Sequence, residues 1–296
     1  MDRAPLPTTL LALVALLRPS HWIKNLILFA PPLFALRFTD LRALLSCLEA
    51  FCCFCCAASA VYALNDVLDL EEDRRHPTKR TRPLAAGLLP TRSAIVLASM
   101  LAGAALLASA AISLTLLAVV AGYLSLNLAY SLRLKHIVLV DILVVSSGFL
   151  LRILAGSLVT SIPLSMWILI MTFLLSLFLA LAKRRDDVLL SAAQGYSTRK
   201  VVDGYNLEFV NAGLVVLASV LIVAYIMYTA SPAVITRTGT DKLYSTALFV
   251  VLGILRYLQL TFVQRRSGNP TRLLWTDRPL QAILLGWLVL FVFLIY

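Results

Sequence analysis

Apolar runs alternate with short polar connections along the whole chain. Nine of these runs are long enough, or nearly so, to cross a bilayer as helices. They cover residues 22–38, 43–66, 93–111, 113–131, 137–159, 164–183, 206–229, 243–263 and 279–296. The pattern predicts an all-α polytopic membrane protein with no separate soluble domain, so that residues 1–296 form one transmembrane domain. Pro31 and Pro32 lie inside the first run and predict a kink there. A very short turn is expected between the runs at 93–111 and 113–131. Before the first run, TLLALVALL has the look of a secretion-signal core, yet RPSHW follows it in place of a small-residue cleavage site. It is expected to be a short interfacial helix that the mature protein keeps.

Composition agrees with the pattern. The chain is 60% hydrophobic, with a mean hydropathy of +0.90, outside the range of soluble domains. The net charge of +11 does not indicate nucleic acid, because the basic residues sit between apolar runs and read as a topology signal. With the N-terminus in the cytoplasm, the outer side receives only Arg37, Arg42, Arg237 and Lys242. The other loop cations, from Arg3 and Arg18 to Arg199, Lys200, Arg266 and Arg278, fall on the cytoplasmic side. The long polar loops 67–92 and 184–205 share that side. An active site facing the cytoplasm from the inner membrane is therefore expected.

Five cysteines, four of them in FCCFCC, lie in an apolar run. Zinc would require thiolates in hydrocarbon and a second ligand pair. They read as helix-packing residues.

Residues 65–87, NDVLDLEEDRRHPTKRTRPLAAG, concentrate charge beside a span, where it is costly unless it serves a purpose. On a helix, Asn65, Asp66, Asp69, Asp73 and His76 fall within an arc of about 100°, while Leu68 and Arg74 point elsewhere. Three carboxylates and an amide on one face offer the incomplete oxygen shell that Mg²⁺ shares with phosphate. Glu71, Glu72, Arg74 and Arg75 have the simpler reading of a solvated helix end with i,i+3 or i,i+4 pairs. His76 either positions a phosphate or caps the helix. Pro77 is expected to stop the helix. Lys79, Arg80 and Arg82 then follow on a loop able to fold back as a phosphate clamp, although such a run alone is usually a topology signal.

Other polar residues are open to two readings. Trp22 is expected to anchor at the interface. Lys24 is either a snorkelling lysine or a phosphate ligand. Tyr130, Arg133, Lys135 and His136 mark the junction of the fourth and fifth spans, with Asp141 about one turn further on. Arg152, near mid-membrane, must face a polar cavity or a partner, and Arg256 is similar but closer to an interface. In KRRDD, residues 183–187, Asp186 and Asp187 either complete a metal site or pair with Arg184 and Arg185.

The N-D-x-x-D-x-x-x-D run, with nine spans, resembles the UbiA superfamily of intramembrane prenyltransferases. RPSHWIKN, SAVYALNDVLDLEEDRRHPTKRTRPLAAG, LKHIVLVDILVVSSGFLLRILAG, IPLSMW and LALAKRRDD resemble more narrowly its polyprenyl-phosphate phosphoribosyltransferase branch, over residues 15–190. The resemblance implies a nine-helix bundle around a lipid-open cavity. It implies that Asn65, Asp69 and Asp73, with Asp66 nearby, hold Mg²⁺ on the diphosphate of phosphoribosyl pyrophosphate, and that Lys24, Lys79, Arg82, Lys135 and Lys183 contact phosphates. His76, Tyr130, Arg152, Arg184 and Asp187 complete the expected substrate-binding set. The implied reaction joins a polyprenyl phosphate of the decaprenyl type to the ribose anomeric carbon and releases pyrophosphate. The bilayer and both substrates are the expected partners, with a homo-oligomer as a further one.

One departure matters. Aromatic prenyltransferases of this superfamily carry a second long acidic motif after the sixth span, where this chain has only Asp186 and Asp187 amid cations. That favours a phosphate-rich, water-soluble donor over an allylic diphosphate. Prenylation of an aromatic acceptor such as 4-hydroxybenzoate is the runner-up. An anion transporter is a third reading. It is weakened by the lack of a pair of broken helices meeting at mid-membrane.

Overall fold

The computed structural model describes residues 6–76, 78–194, 200–265 and 270–295. Arg3, Pro77, Arg199 and Arg266, used above, lie outside them. Every regular element among the described residues is helical. The chain divides into two compact units, residues 1–164 and 165–296.

The first unit contains α1 (Leu6–Leu17), α2 (Ala30–Phe34), α3 (Leu41–Leu68), α4 (Leu70–Arg75), α5 (Thr91–Ile112), α6 (Leu114–Leu132) and α7 (Val140–Thr160). The second contains α8 (Met166–Gln194), α9 (Leu207–Ala230), α10 (Pro232–Thr238), α11 (Ala247–Phe262), α12 (Pro270–Thr276) and α13 (Arg278–Ile295). Eight helical stretches are long and apolar enough to cross a membrane, and they match eight of the nine runs in the sequence.

The first run differs. Residues Pro19–Phe29 form a tighter 3₁₀ helix that passes into the five-residue α2. Pro31 and Pro32 fall in the first turn of α2, where proline's missing N–H costs nothing. The prolines therefore start a new helical segment instead of kinking a long one, and this stretch is not among the eight.

Local chemistry sets the other boundaries. Asp40 caps α3 by accepting from the backbone N–H groups of Arg42 and Ala43 at 3.0 and 3.3 Å. A single extended residue, Ser113, ends α5 and caps α6, its hydroxyl accepting from Leu116 N at 3.1 Å. The turn expected between those spans is thus one residue long. His76, which precedes Pro77, adopts the extended conformation that such a position favours and ends α4.

The core of the first unit is apolar. Phe54, Ala57, Leu116, Val120 and Ala155 pack with Leu28. A smaller cluster joins α1 to α3 and α5 through Ala12, Leu16, Ala63, Leu84 and Ala94, while Leu10 and Leu11 of α1 remain exposed. The run TLLALVALL is therefore a helix with one buried and one exposed face. The cysteines belong to this packing: Cys55 Sγ accepts from Asn25 at 3.3 Å and Cys47 Sγ donates to Leu28 O at 3.5 Å. In the second unit α8 packs on α9, and α11 on α13. Trp287 Nε1 donates to Tyr225 OH at 2.8 Å.

Backbones approach closely at Gly156 of α7, where a Cβ would collide with the carbonyl group of Leu28. Gly156→Ala is expected to destabilise the protein by about 1–3 kcal/mol, the usual cost of overpacking a rigid contact. A lower thermal unfolding midpoint in detergent would record it; an unchanged midpoint would contradict the close approach.

Candidate active site

The helical face read from the sequence forms for Asn65, Asp66, Asp69 and Asp73, while His76 leaves it in an extended conformation after α4. Backbone bonds Asp69 N→Asn65 O (2.9 Å) and Asp73 N→Asp69 O (2.8 Å) carry the helical register through the small break at Asp69. Asn65, Asp69 and Asp73 therefore stack at the end of α3, with Asp66 beside them. Asp66, Asp69 and Asp73 are 2%, 7% and 1% exposed, so each needs a compensating charge. Glu71 and Arg74 are exposed and form an ordinary i,i+3 surface pair at 2.8 Å.

The compensation comes from three other segments. Arg18 pairs with Asp66 Oδ1. Arg82, arriving after the 3₁₀ turn Lys79–Thr81, places Nη1 at 3.0 Å from Asp66 Oδ1 and 2.5 Å from Asp73 Oδ2. Lys79 Nζ lies 3.8 Å from Asp73 Oδ1. Lys135, from the α6–α7 connection, pairs with Asp69 Oδ1. Asn65 completes the row: its Nδ2 donates to Asp69 Oδ2 at 2.7 Å and its Oδ1 accepts from Ser131 Oγ at 3.2 Å. The loop between residues 76 and 82 does fold back over the acids, as a strap. His76 shapes that strap by accepting at Nδ1 from the backbone N–H groups of Thr78 (3.2 Å) and Lys79 (3.3 Å). Arg80 points to solvent.

Beyond the acids lies a second polar centre. Arg152 is 5% exposed. Its Nε donates to Asn25 Oδ1 at 2.6 Å, Nη1 to Gly148 O at 2.7 Å and Nη2 to Tyr123 OH at 3.0 Å. Its guanidinium also lies 4.8 Å from the Tyr123 ring centroid and 5.7 Å from that of Phe54. Lys24 is half-buried, with the like charges of Arg152 and Arg18 acting on it. Trp22 donates its indole N–H to Ser59 Oγ at 3.0 Å. Tyr130 is half-buried in the last turn of α6, and Asp141 is fully buried in the first turn of α7.

Lys183, Arg184 and Asp187 belong to the second unit and lie within α8, which continues to Gln194, so the first part of the loop expected at 184–205 is helical. Arg184 Nη1 holds Asp187 Oδ2 at 2.5 Å, which is the pairing alternative for that motif. Arg185 ties helices together: Nε donates to Asn211 Oδ1 on α9 at 2.8 Å, and Nη1 to Thr261 O on α11 at 2.6 Å. Arg256 is paired bidentately with Asp277 at 3.1 and 2.7 Å.

Sequence reasoning missed Arg18, read there only as a topology cation. It also missed Asn25, Tyr123 and Ser131. A signal for the last two existed, because Tyr123, Asn127 and Ser131 recur every four residues along an otherwise apolar helix. Arg18 carried no local signal. It has a left-handed backbone (φ 53°), and its guanidinium lies 5.0 Å from the Tyr62 ring centroid.

The donor set suits a hard divalent cation such as Mg²⁺. Asp73 Oδ1 is buried without a hydrogen-bond donor, so one carboxylate oxygen is available for a ligand. Among the described residues no three acidic, histidine or cysteine side chains converge on one point. Instead Arg82 joins Asp66 to Asp73, and Lys135 and Asn65 hold Asp69.

A helical membrane protein with a buried aspartate row under a basic strap is the class that the fold and the site define. Residues 25–276 match the UbiA prenyltransferase family, and the chain belongs to it. It is an integral membrane protein and a transferase of that family. It is 36% identical over 288 residues to the decaprenyl-phosphate phosphoribosyltransferase of Mycolicibacterium smegmatis, covering 93% of this chain and 90% of the relative. It is 33% identical to the protein of the same name from Corynebacterium glutamicum, covering 96% and 86% of the two chains. A solved UbiA homolog from Archaeoglobus fulgidus, bound to DMAPP and Mg²⁺, shares the fold with a TM-score of 0.72 at 17% identity, over 96% of this chain and 98% of that one.

Arg152→Lys keeps the charge but loses the planar fork that reaches Asn25, Gly148 and Tyr123 together. The expected loss is about 2 kcal/mol, typical of a hydrogen bond to a charged group in a buried setting. Thermal unfolding in detergent would read it, and a wild-type midpoint would refute the hub role of Arg152.

Proposed function

We propose that this protein transfers the 5-phosphoribosyl group of phosphoribosyl pyrophosphate to a polyprenyl phosphate of the decaprenyl type, with Mg²⁺ as cofactor. The observation that carries the chemistry is the buried row Asp66, Asp69 and Asp73 beneath Lys79, Arg82 and Lys135. Acids for a metal and cations for phosphate oxygens are the two halves of a diphosphate site. The choice of sugar donor and lipid acceptor is supported by relatives named decaprenyl-phosphate phosphoribosyltransferase that match along nearly the whole chain.

In this reading an oxygen of the lipid phosphate attacks the anomeric carbon. The bond from that carbon to the diphosphate oxygen breaks, and the electron pair leaves with pyrophosphate. Positive charge grows on the carbon and negative charge on the leaving group. Lys79, Arg82 and Lys135 meet that negative charge where water is scarce, and there a fixed cation acts strongly. Asn65, Asp66, Asp69 and Asp73 would hold Mg²⁺, which neutralises the leaving diphosphate. The A. fulgidus homolog, solved with Mg²⁺ bound, supports the choice of metal. Lys24 and Arg152 bring further positive charge to the same unit, which suits the second phosphate the reaction brings together. The bias of loop cations supports a cytoplasmic location for this site, with residues 1–296 read as one domain.

Purified protein with Mg²⁺, phosphoribosyl pyrophosphate and polyprenyl phosphate is expected to yield a pentose-phosphate lipid, seen by mass spectrometry of the lipid extract. Asp69→Asn or Asp73→Asn is expected to abolish it while expression and membrane insertion stay normal. A prenylated ring from polyprenyl diphosphate and 4-hydroxybenzoate, with no pentose lipid, would move the protein to aromatic prenylation. Wild-type turnover in either variant would remove the aspartates from the mechanism.

A further inference from the structure

Arg18, Lys79, Arg82 and Lys135 stand against Asp66, Asp69 and Asp73, four cations against three acids. A divalent cation arriving alone therefore meets carboxylates that cations already hold. To bind, it must also break pairs and leave their cations in need of new acceptors. An unpaired guanidinium in such surroundings costs more than the pair was worth.

We infer that the divalent cation enters this site together with the donor's diphosphate and is held off without it, and that Arg82 enforces this order. The inference rests on the reading of the acidic face as a diphosphate site. Arg82 is the pivot because its single Nη1 bridges Asp66 and Asp73, at 3.0 and 2.5 Å. The diphosphate supplies new acceptors for the strap, which already carries Lys79 alongside Arg82. Moving onto phosphate oxygens, those two side chains release Asp66 and Asp73 toward the metal. Asp73 Oδ1, which receives no hydrogen bond, is the first oxygen ready for it. Metal and diphosphate thus help each other bind, and the coupling is reciprocal. Arg82 is in this respect a positioning residue, setting metal affinity through the carboxylates it holds.

Equilibrium dialysis of the full-length protein in detergent against Mn²⁺ tests the idea. Pyrophosphate is kept equal in both chambers, so that only protein-bound metal accumulates. The wild type is expected to bind Mn²⁺ about tenfold or more tightly with pyrophosphate than without it. Arg82→Gln should bind Mn²⁺ about tenfold more tightly in the absence of pyrophosphate, as expected when a coupled counter-ion is removed. Its gain on adding pyrophosphate should shrink, and Arg82→Lys should restore part of the order. Should Arg82→Gln fail to fold, Lys135→Gln, which frees Asp69, is expected to raise metal-only affinity in the same direction.

Equal Mn²⁺ affinity of the wild type with and without pyrophosphate would overturn the inference, as would metal-only affinity unmoved in Arg82→Gln. Neither result touches the diphosphate-site reading, provided Asp69→Asn and Asp73→Asn still lose Mn²⁺. Mn²⁺ and pyrophosphate binding that survive both aspartate variants would end that reading, and this inference with it.

Discussion

Three carboxyl groups buried at the end of a membrane-spanning helix set the terms for the first unit. Each would be intolerable alone in a weakly polar surrounding, and each is met by cations from elsewhere in the chain. To deliver them, the chain must turn sharply at Arg18, fold the strap after His76 back over α3 and α4, and bring the α6–α7 connection to the same place. Asn65 and Ser131 then close the gaps left between the pairs. The architecture at this end of the bundle follows from the need to neutralise those acids, and the same groups are the ones a phosphate substrate would use.

Arg152 solves a related problem by another route. Its described partners are an amide, a carbonyl, a phenol and aromatic rings. These satisfy its N–H groups and spread its charge without cancelling it. With Lys24 and Arg18 near enough to act on one another, this depth of the unit keeps a positive character.

The two charged stretches of the chain are built differently. At the end of α3 the acids are collected on one face. Within α8, in the KRRDD run, Arg184 holds Asp187, and Arg185 joins α8 to α9 and α11. The likeness to the relatives named phosphoribosyltransferase runs along nearly the whole chain and is not confined to the acidic row.

The hydrophobic pattern alone determined the helical class, eight of the long helices, the one-face alignment of Asn65, Asp69 and Asp73, and the basic strap behind them. All of these are short-range properties, repeating within one or two helical turns, and therefore visible in a window of sequence. The first run escaped the pattern because it is apolar but too short, and proline placement broke it into two helical forms. The partners of the acids escaped for a different reason. Arg18 meets Asp66 across 48 residues, Lys135 meets Asp69 across 66, and Arg152 meets Asn25 across 127. No local period encodes such meetings. Only the packing of α3 against α6, α7 and the 3₁₀ segment decides which cation reaches which carboxylate, because charges buried together must be paired in space, whatever their distance along the chain.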